Sequence, residues 1–283
     1  MQANALLLSV AELREQLIAA ECVIFDCRFE LTRPGAGFEK YLQTHIPGAV
    51  YAHLDNDLSN QATPGRGRHP LPDADKFAAF LARSGWQAGK LLVAYDDAGG
   101  AIAARLWWLM KYFGHDCAAL LDGGIPAWKA AGLPLESGQR QTSGVPVAKF
   151  RIRENLVLST SKIIEGLNRK EVILADARAA ARFAGEMEPI DSVAGHIPGS
   201  VNYPFHLTLL EDGRFKPVDE IRRGFLTLVG NHDQQNLVHM CGSGVTACHN
   251  LFAAELAGFE NSGLYVDSWS GWIEDPSRPI ATN

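Results

Sequence analysis

No apolar run in the chain approaches the roughly 20 residues that a membrane-spanning helix needs. Cysteine is scarce. Cys22, Cys27, Cys117, Cys241 and Cys248 make an odd set of five without paired C-x-x-C spacing. That argues against a disulfide framework and against the common zinc sites. Basic charge is not in excess: 26 Lys and Arg stand against 32 Asp and Glu, a net charge of −6. Nucleic acid is therefore not an expected partner. The opening "MQANALLLSVAELREQ" has no basic stretch ahead of its short apolar core, so no signal peptide is expected. These absences suggest a soluble, cytoplasmic protein with no membrane partner, in a reducing compartment where a free thiolate persists.

What is present is a chain of 283 residues, 47% hydrophobic and 20% charged, the make-up of a globular protein long enough for two domains. It is written twice. Residues 6–28, "LLLSVAELREQLIAAECVIFDCR", lie ungapped over residues 156–178, "LVLSTSKIIEGLNRKEVILADAR". "HIPGAV" at 45–50 recurs as "HIPGSV" at 196–201, and residues 97–128 lie ungapped over 241–272. This is a full-length duplication rather than a short-period repeat. The expected domains are 1–136 and 150–283. The polar, aperiodic residues 137–149 are expected to link them.

Each copy alternates strands and helices. Ser9 and Glu12 form a capping-box signature, and the helix after them leads to the apolar strand around Cys22–Phe25. "LLVAY" (91–95) is a further strand, and "AIAARLWWLMKYFG" (101–114) a helix stopped by glycine. This order predicts an α/β fold: two duplicated domains, each a mostly parallel sheet with helices on both faces. In such sheets ligands bind beyond the carboxyl ends of strands. Cys241 stands there in the second copy, at the start of "CGSGVTAC" (241–248).

The duplication serves as an internal control, because residues shared by both copies are better candidates for the fold than for chemistry. Asp26 with Arg28, and Asp176 with Arg178, recur and suggest ion-pair clamps. His45 and His196 recur in the Pro-Gly turns, and Trp128 and Trp272 as packing residues. Cys241 does not recur, since Asp97 holds its place in the first copy; Ser243 is matched by Gly99. Gly242 and Gly244 allow the backbone N–H groups to turn inward as an anion nest. A helix beginning near Thr246 adds its positive end. Both effects favour a thiolate at Cys241, whose ordinary pKa is about 8.5. Cys248 lies inside that helix and reads as core filler, as do Cys22 and Cys117; Cys27 is left unassigned. A phosphatase would need an arginine six residues after its cysteine, and here that residue is Ala247.

With "DCR" and "DAR", the two "HIPG" turns, "RLWWLMKYFGH", "LLDGGIPAW", "CGSGVTAC" and "SWSGW", the chain resembles the tandem-domain rhodanese-type sulfurtransferases. The resemblance implies a silent first domain and a catalytic second domain. It also implies transfer of sulfane sulfur through a Cys241 persulfide to a thiol, cyanide or thioredoxin-type protein, with no metal or organic cofactor needed because the cysteine carries the sulfur. Its neutral "CGSGVT" loop is similar to that of the mercaptopyruvate branch, whereas thiosulfate enzymes usually carry two loop cations. The resemblance further implies that Arg182 binds the donor's anionic group and that Ser243 assists the developing enolate. Gly242, Gly244, Val245, Thr246, Arg178, His69 and His45 are implied around the donor. "GRGRHPLP" (65–72) of the first domain, with Arg68 and His69, is expected to line the site. A second substrate arginine before His196 is missing, and Arg178 is the available stand-in. A monomer is expected. Thiosulfate transfer by the same route, and a non-catalytic binding or sensing module, are the alternatives.

Overall fold

A computed structural model of the protein describes residues 6–146 and 148–282. The first five residues, on which the reading of the amino terminus partly rests, and residue 147 of the expected linker lie outside the described residues. By its internal contacts the chain divides into two units. The first comprises residues 1–60, 72–153 and 211–215, and the second residues 61–71, 154–210 and 216–283.

The first unit holds β1 (Leu7–Leu8), β2 (Cys22–Asp26), β3 (Val50–Tyr51), β4 (Leu91–Tyr95) and β5 (Ala118–Leu121), in the order β1-β5-β4-β2-β3. The second holds β6 (Ile173–Asp176), β7 (Val201–Asn202), β8 (Leu237–Met240) and β9 (Gly263–Leu264), in the order β7-β6-β8-β9. Every ladder is parallel. The β1–β5 pairing of the first sheet survives in the second as a single bridge. Leu7 pairs with Leu120, and the equivalent residues Val157 and Leu264 also pair in parallel. The two sheets thus share one topology, as the duplication predicts. Residues of the central strands β2, β4, β6 and β8 are almost continuously buried, which is what helices on both faces impose. Ser9 forms its capping box with Glu12, and Ser159 accepts from the Lys162 N–H at the equivalent place.

The shared motifs prove to be closures of each unit. Arg28 forks onto Asp26 and donates to the Thr44 carbonyl; Arg178 forks onto Asp176 and donates to the Gly195 carbonyl. His45 stacks on Tyr41 with its Nδ1 2.8 Å from the Tyr41 carbonyl, and His196 stacks on Phe183 with the same 2.8 Å contact to the Phe183 carbonyl. Trp128 and Trp272 each donate Nε1–H to a downstream proline carbonyl, those of Pro134 and Pro279.

Two boundaries differ from the sequence expectation. The expected linker runs along the first unit instead of standing apart. The N–H groups of Gly138 and Val145 donate to Leu42 and Ala82, and those of Arg151 and Arg153 donate to Phe113 and Tyr112. Backbone pairing of this kind ties residues through 153 to the first unit. Residues 61–71, read as part of the first domain, belong to the second unit. There Arg68 N–H donates to the Ser270 hydroxyl, and Gly67 lies so close to the Asp267 carbonyl that a Cβ would sit 2.5 Å from it. Among the described residues no helix is long and apolar enough to cross a membrane.

Candidate active site

Cys241 directly follows β8 and is 2% exposed. The loop after it turns at Gly244, whose φ of +76° suits glycine, and a Cβ there would lie 2.7 Å from the Val266 carbonyl. Val245 caps the helix Thr246–Leu256, and no acidic residue occupies that helix's first turn. The positive end of an eleven-residue helix is thus left uncompensated beside the thiol.

The first unit shows what such a loop binds. There the N–H groups of Ala98 and Gly100 donate to Asp96 Oδ1 at 2.8 Å, and those of Ile102 and Ala103 donate to Oδ2 at 2.8 and 2.9 Å. Under the duplication these positions correspond to Gly242, Gly244, Thr246 and Ala247. The first unit's loop is therefore an anion cradle occupied by its own carboxylate. In the second unit Met240 stands in the place of Asp96, and the cradle is left to Cys241. Among the described residues, the N–H groups of Gly242, Ser243, Val245 and Thr246 find no protein acceptor. The loops are not superimposable throughout: Gly99 has φ +68°, whereas Ser243 is not left-handed.

Ser268 is a site residue that the sequence reading missed. Its hydroxyl accepts the Cys241 N–H at 3.2 Å and donates to the Tyr265 carbonyl at 2.8 Å. Ser268 holds a left-handed φ of +53°, where the first unit has Gly124 at +56°. A non-glycine residue kept in that region carries strain, which tends to persist at functional sites. The sequence signal was Ser268 standing where the first copy has Gly124.

Ser243 Oγ lies 2.7 Å from His69 Nδ1, and both residues are buried. His69 thus meets Ser243, and does so from a segment that belongs to the second unit. Beside them, a Cβ placed on Gly242 would lie 3.3 Å from Arg68 Nη2 and 3.5 and 3.6 Å from Arg182 Nη2 and Nη1. Two guanidiniums therefore face Gly242, and the missing side chain leaves the space between them and the loop. Arg68 Nε is buried without a hydrogen-bond partner. An unsatisfied buried donor of this kind is unusual and suits a ligand acceptor.

Both arginines are held by carboxylates. Arg182 forks onto Glu188 at 3.0–3.1 Å and donates to Asp191 at 2.9 Å, while Arg68 Nη1 donates to the other Asp191 oxygen. Burial pushes the Glu188 carboxyl up, but its hydrogen bonds from Arg182 and from the N–H groups of Asp191 and Ile190 outweigh this. The group is held below the ordinary carboxylate range.

Two expectations need correction. Arg178 is no donor ligand: its side chain is 1% exposed, forked onto Asp176 and stacked over the Trp269 ring at 4.8 Å. The cation is spent on holding the chain turn. His45 is likewise committed to its turn in the first unit, buried and stacked on Tyr41. Arg68, and not Arg178, stands beside Arg182 at Gly242. The remaining thiols are poor nucleophiles. Burial raises Cys22 to about 11 and raises Cys117, and burial together with nearby carboxylates, Asp96 foremost, puts Cys27 well above the ordinary thiol range. Cys248 donates to the Gly244 carbonyl inside the helix.

A family model described as "Rhodanese-like domain" matches residues 9–131 and again 159–275. The chain belongs to the rhodanese-like family. Its two matches cover both copies of the duplication, and its fold is that of two rhodanese domains. It is 45% identical over 283 residues, 99% of each chain, to a probable 3-mercaptopyruvate sulfurtransferase of Pseudomonas aeruginosa. It is 39% identical over 290 residues to the putative thiosulfate sulfurtransferase SseB of Mycobacterium tuberculosis, covering 99% of this chain and 98% of the relative. The solved 3-mercaptopyruvate sulfurtransferase of Leishmania major superposes with a TM-score of 0.82 at 32% identity, over 95% of this chain and 74% of that one. In this rhodanese-like protein the cysteine loop, the Ser243–His69 pair and the two arginines all lie in the second unit.

Proposed function

We propose that the protein is a 3-mercaptopyruvate sulfurtransferase working through a Cys241 persulfide. The observation that carries this reading is a cysteine in an open anion cradle whose loop is neutral, with two arginines turned toward Gly242. The donor's carboxylate is received by Arg182 and Arg68. The Cys241 thiolate attacks the donor sulfur, the carbon–sulfur bond breaks, and its electrons leave on carbon as the enolate of pyruvate. Ser243, hydrogen-bonded to His69, relays the proton lost from the transferred S–H to the enolate carbon, and pyruvate departs. Cys241 is left as a persulfide whose negative charge the loop N–H groups and the helix end stabilise. A thiol, cyanide or thioredoxin-type acceptor then attacks the outer sulfur and restores the Cys241 thiolate. The sulfur is carried on the protein itself, so no metal or organic cofactor enters the cycle. All five cysteines are free thiols, which suits a monomer working in a reducing cytoplasm.

The second reading is thiosulfate as donor, favoured by the name of the mycobacterial relative. The two differ in charge. Thiosulfate is a dianion, and Gly242 and Ser243 supply no cation for its sulfonate. The expected kcat/KM for mercaptopyruvate exceeds that for thiosulfate by about tenfold or more, a difference of ~1.4 kcal/mol. A wild-type preference for thiosulfate at equal concentration overturns the assignment in favour of the second reading.

A further inference from the structure

The structure assigns Asp191 and Glu188 a role beyond holding arginines: they are specificity-determining residues that keep the donor subsite electroneutral and so weaken its hold on dianionic donors relative to monoanionic ones. This rests on the proposed transfer chemistry at Cys241 but not on which donor is preferred. The charges form one alternating line. Asp176 pairs with Arg178 at 2.7 Å, and Arg178 approaches Glu188 at 3.5 Å. Glu188 pairs with Arg182 at 2.8 Å, Arg182 with Asp191 at 2.9 Å, and Asp191 with Arg68. Three cations meet three anions, so the line carries no net charge.

The carboxylates are not surface counterions that a ligand could simply outcompete. The side chains of Glu188 and Asp191 are 4% and 3% exposed. Glu188 is also fixed by two backbone N–H groups at 3.0 Å. At such burial salt screens these charges much less than it would on an open surface. Asp191 is shared: one oxygen takes Arg68 Nη1 and the other Arg182 Nη2. What remains for a ligand is Nε and Nη2 of Arg68 and Nη1 of Arg182; Arg68 Nη2 and Arg182 Nη1 lie 3.3 and 3.6 Å from the empty side-chain position of Gly242. One carboxylate can share that pair with the loop. A second negative charge brought beside Asp191 meets a like charge with no cation left to offset it, and discrimination by such repulsion is as effective as attraction to the preferred ligand.

The test compares donors across charge variants of the full chain. Asp191→Asn keeps the shape and one acceptor but leaves the line with one excess positive charge. Its kcat/KM for thiosulfate, taken relative to that for mercaptopyruvate, is expected to rise about tenfold or more. Glu188→Gln makes the same charge change from the other side of Arg182 and is expected to act in the same direction. Arg68→Gln combined with Asp191→Asn returns the charge to zero and is expected to abolish the gain. Parallel losses for both donors in the single variants, or an unchanged donor ratio, overturn the inference and leave the acids as structural partners only. If neither single variant folds, the wild-type protein decides: inorganic sulfate is expected to inhibit at least tenfold more weakly than pyruvate, and equal inhibition overturns the inference. A wild-type preference for thiosulfate would overturn the donor assignment alone. The response to Asp191→Asn would still be read separately.

Discussion

Arg182→Ala separates donor recognition from loop support. The guanidinium places Nη1 3.6 Å from the Cβ position of Gly242 and spends Nε and Nη2 on Glu188 and Asp191. Removing it takes away one charge-assisted contact to the donor, worth ~1.5–3 kcal/mol. That predicts a roughly 10–150-fold fall in kcat/KM for the donor. There is also a structural cost. Glu188 keeps the N–H groups of Ile190 and Asp191, and Asp191 keeps Arg68, so neither carboxylate is orphaned. The stability loss should therefore stay near ~1–3 kcal/mol, below the ~3–5 kcal/mol of a buried charge stripped of its partner. Stopped-flow measurement of the two half-reactions distinguishes the effects. Persulfide formation from mercaptopyruvate should slow by the full factor, and discharge of a preformed persulfide to a neutral thiol should change by less than about threefold, under ~0.7 kcal/mol. Arg182→Lys, which keeps the charge but loses the fork, should recover part of the loss. Equal slowing of both half-reactions would refute the reasoning, because a lost donor contact cannot affect a step from which the donor is absent.

The remaining predictions concern the thiols, the silent unit and one buried histidine. After donor treatment, mass spectrometry should find a single added sulfur on the peptide containing Cys241. Cys241→Ser should be inert and Cys248→Ala should still turn over; transfer by Cys241→Ser would sink the assignment. Asp97→Cys in the first unit should form no persulfide, because the Asp96 carboxylate already fills the cradle. Adding Asp96→Met should make that cysteine reactive, and donor-dependent labelling of both variants checks the difference. His239 is fully buried in β8 with neither ring nitrogen hydrogen-bonded, and burial lowers its pKa from 6.5 to about 3. Its neutral form is the folded form. Its contribution is therefore fully present above pH 6.5 and is lost as pH falls toward 3, about 5 kcal/mol in all at ~1.4 kcal/mol per pH unit. His239→Leu should flatten that part of the stability–pH curve measured by urea unfolding; an unchanged curve would show that other groups govern acid unfolding.

Local chemistry made much of this protein readable from its residues. A strand that is apolar throughout, a serine at a helix start and a glycine at a left-handed turn act over a few neighbouring positions. The duplication also let one copy annotate the other. Hence the parallel sheets, the paired His-Pro-Gly turns and the placing of Cys241 between β8 and its helix follow from the order of residues. The arginine clamps followed too, although the family resemblance had also offered Arg178 to the donor. It was the pairing of its guanidinium with Asp176 and Trp269 that withdrew it.

The contents of the site depended on contacts between residues far apart in the chain. Arg68 and His69 join the second unit through contacts made over more than 170 positions with Ser243 and Ser270, which no local pattern encodes. That Asp96 turns back into its own loop while Met240 does not is a matter of side-chain direction, visible only once the N–H groups have converged. The charge at the donor subsite is likewise a property of the assembled fold. "EMEPIDS" appeared in the sequence as a stretch lacking an expected arginine. Folding buries two of its carboxylates between arginines from two other segments, and the low exposure there makes their charges count.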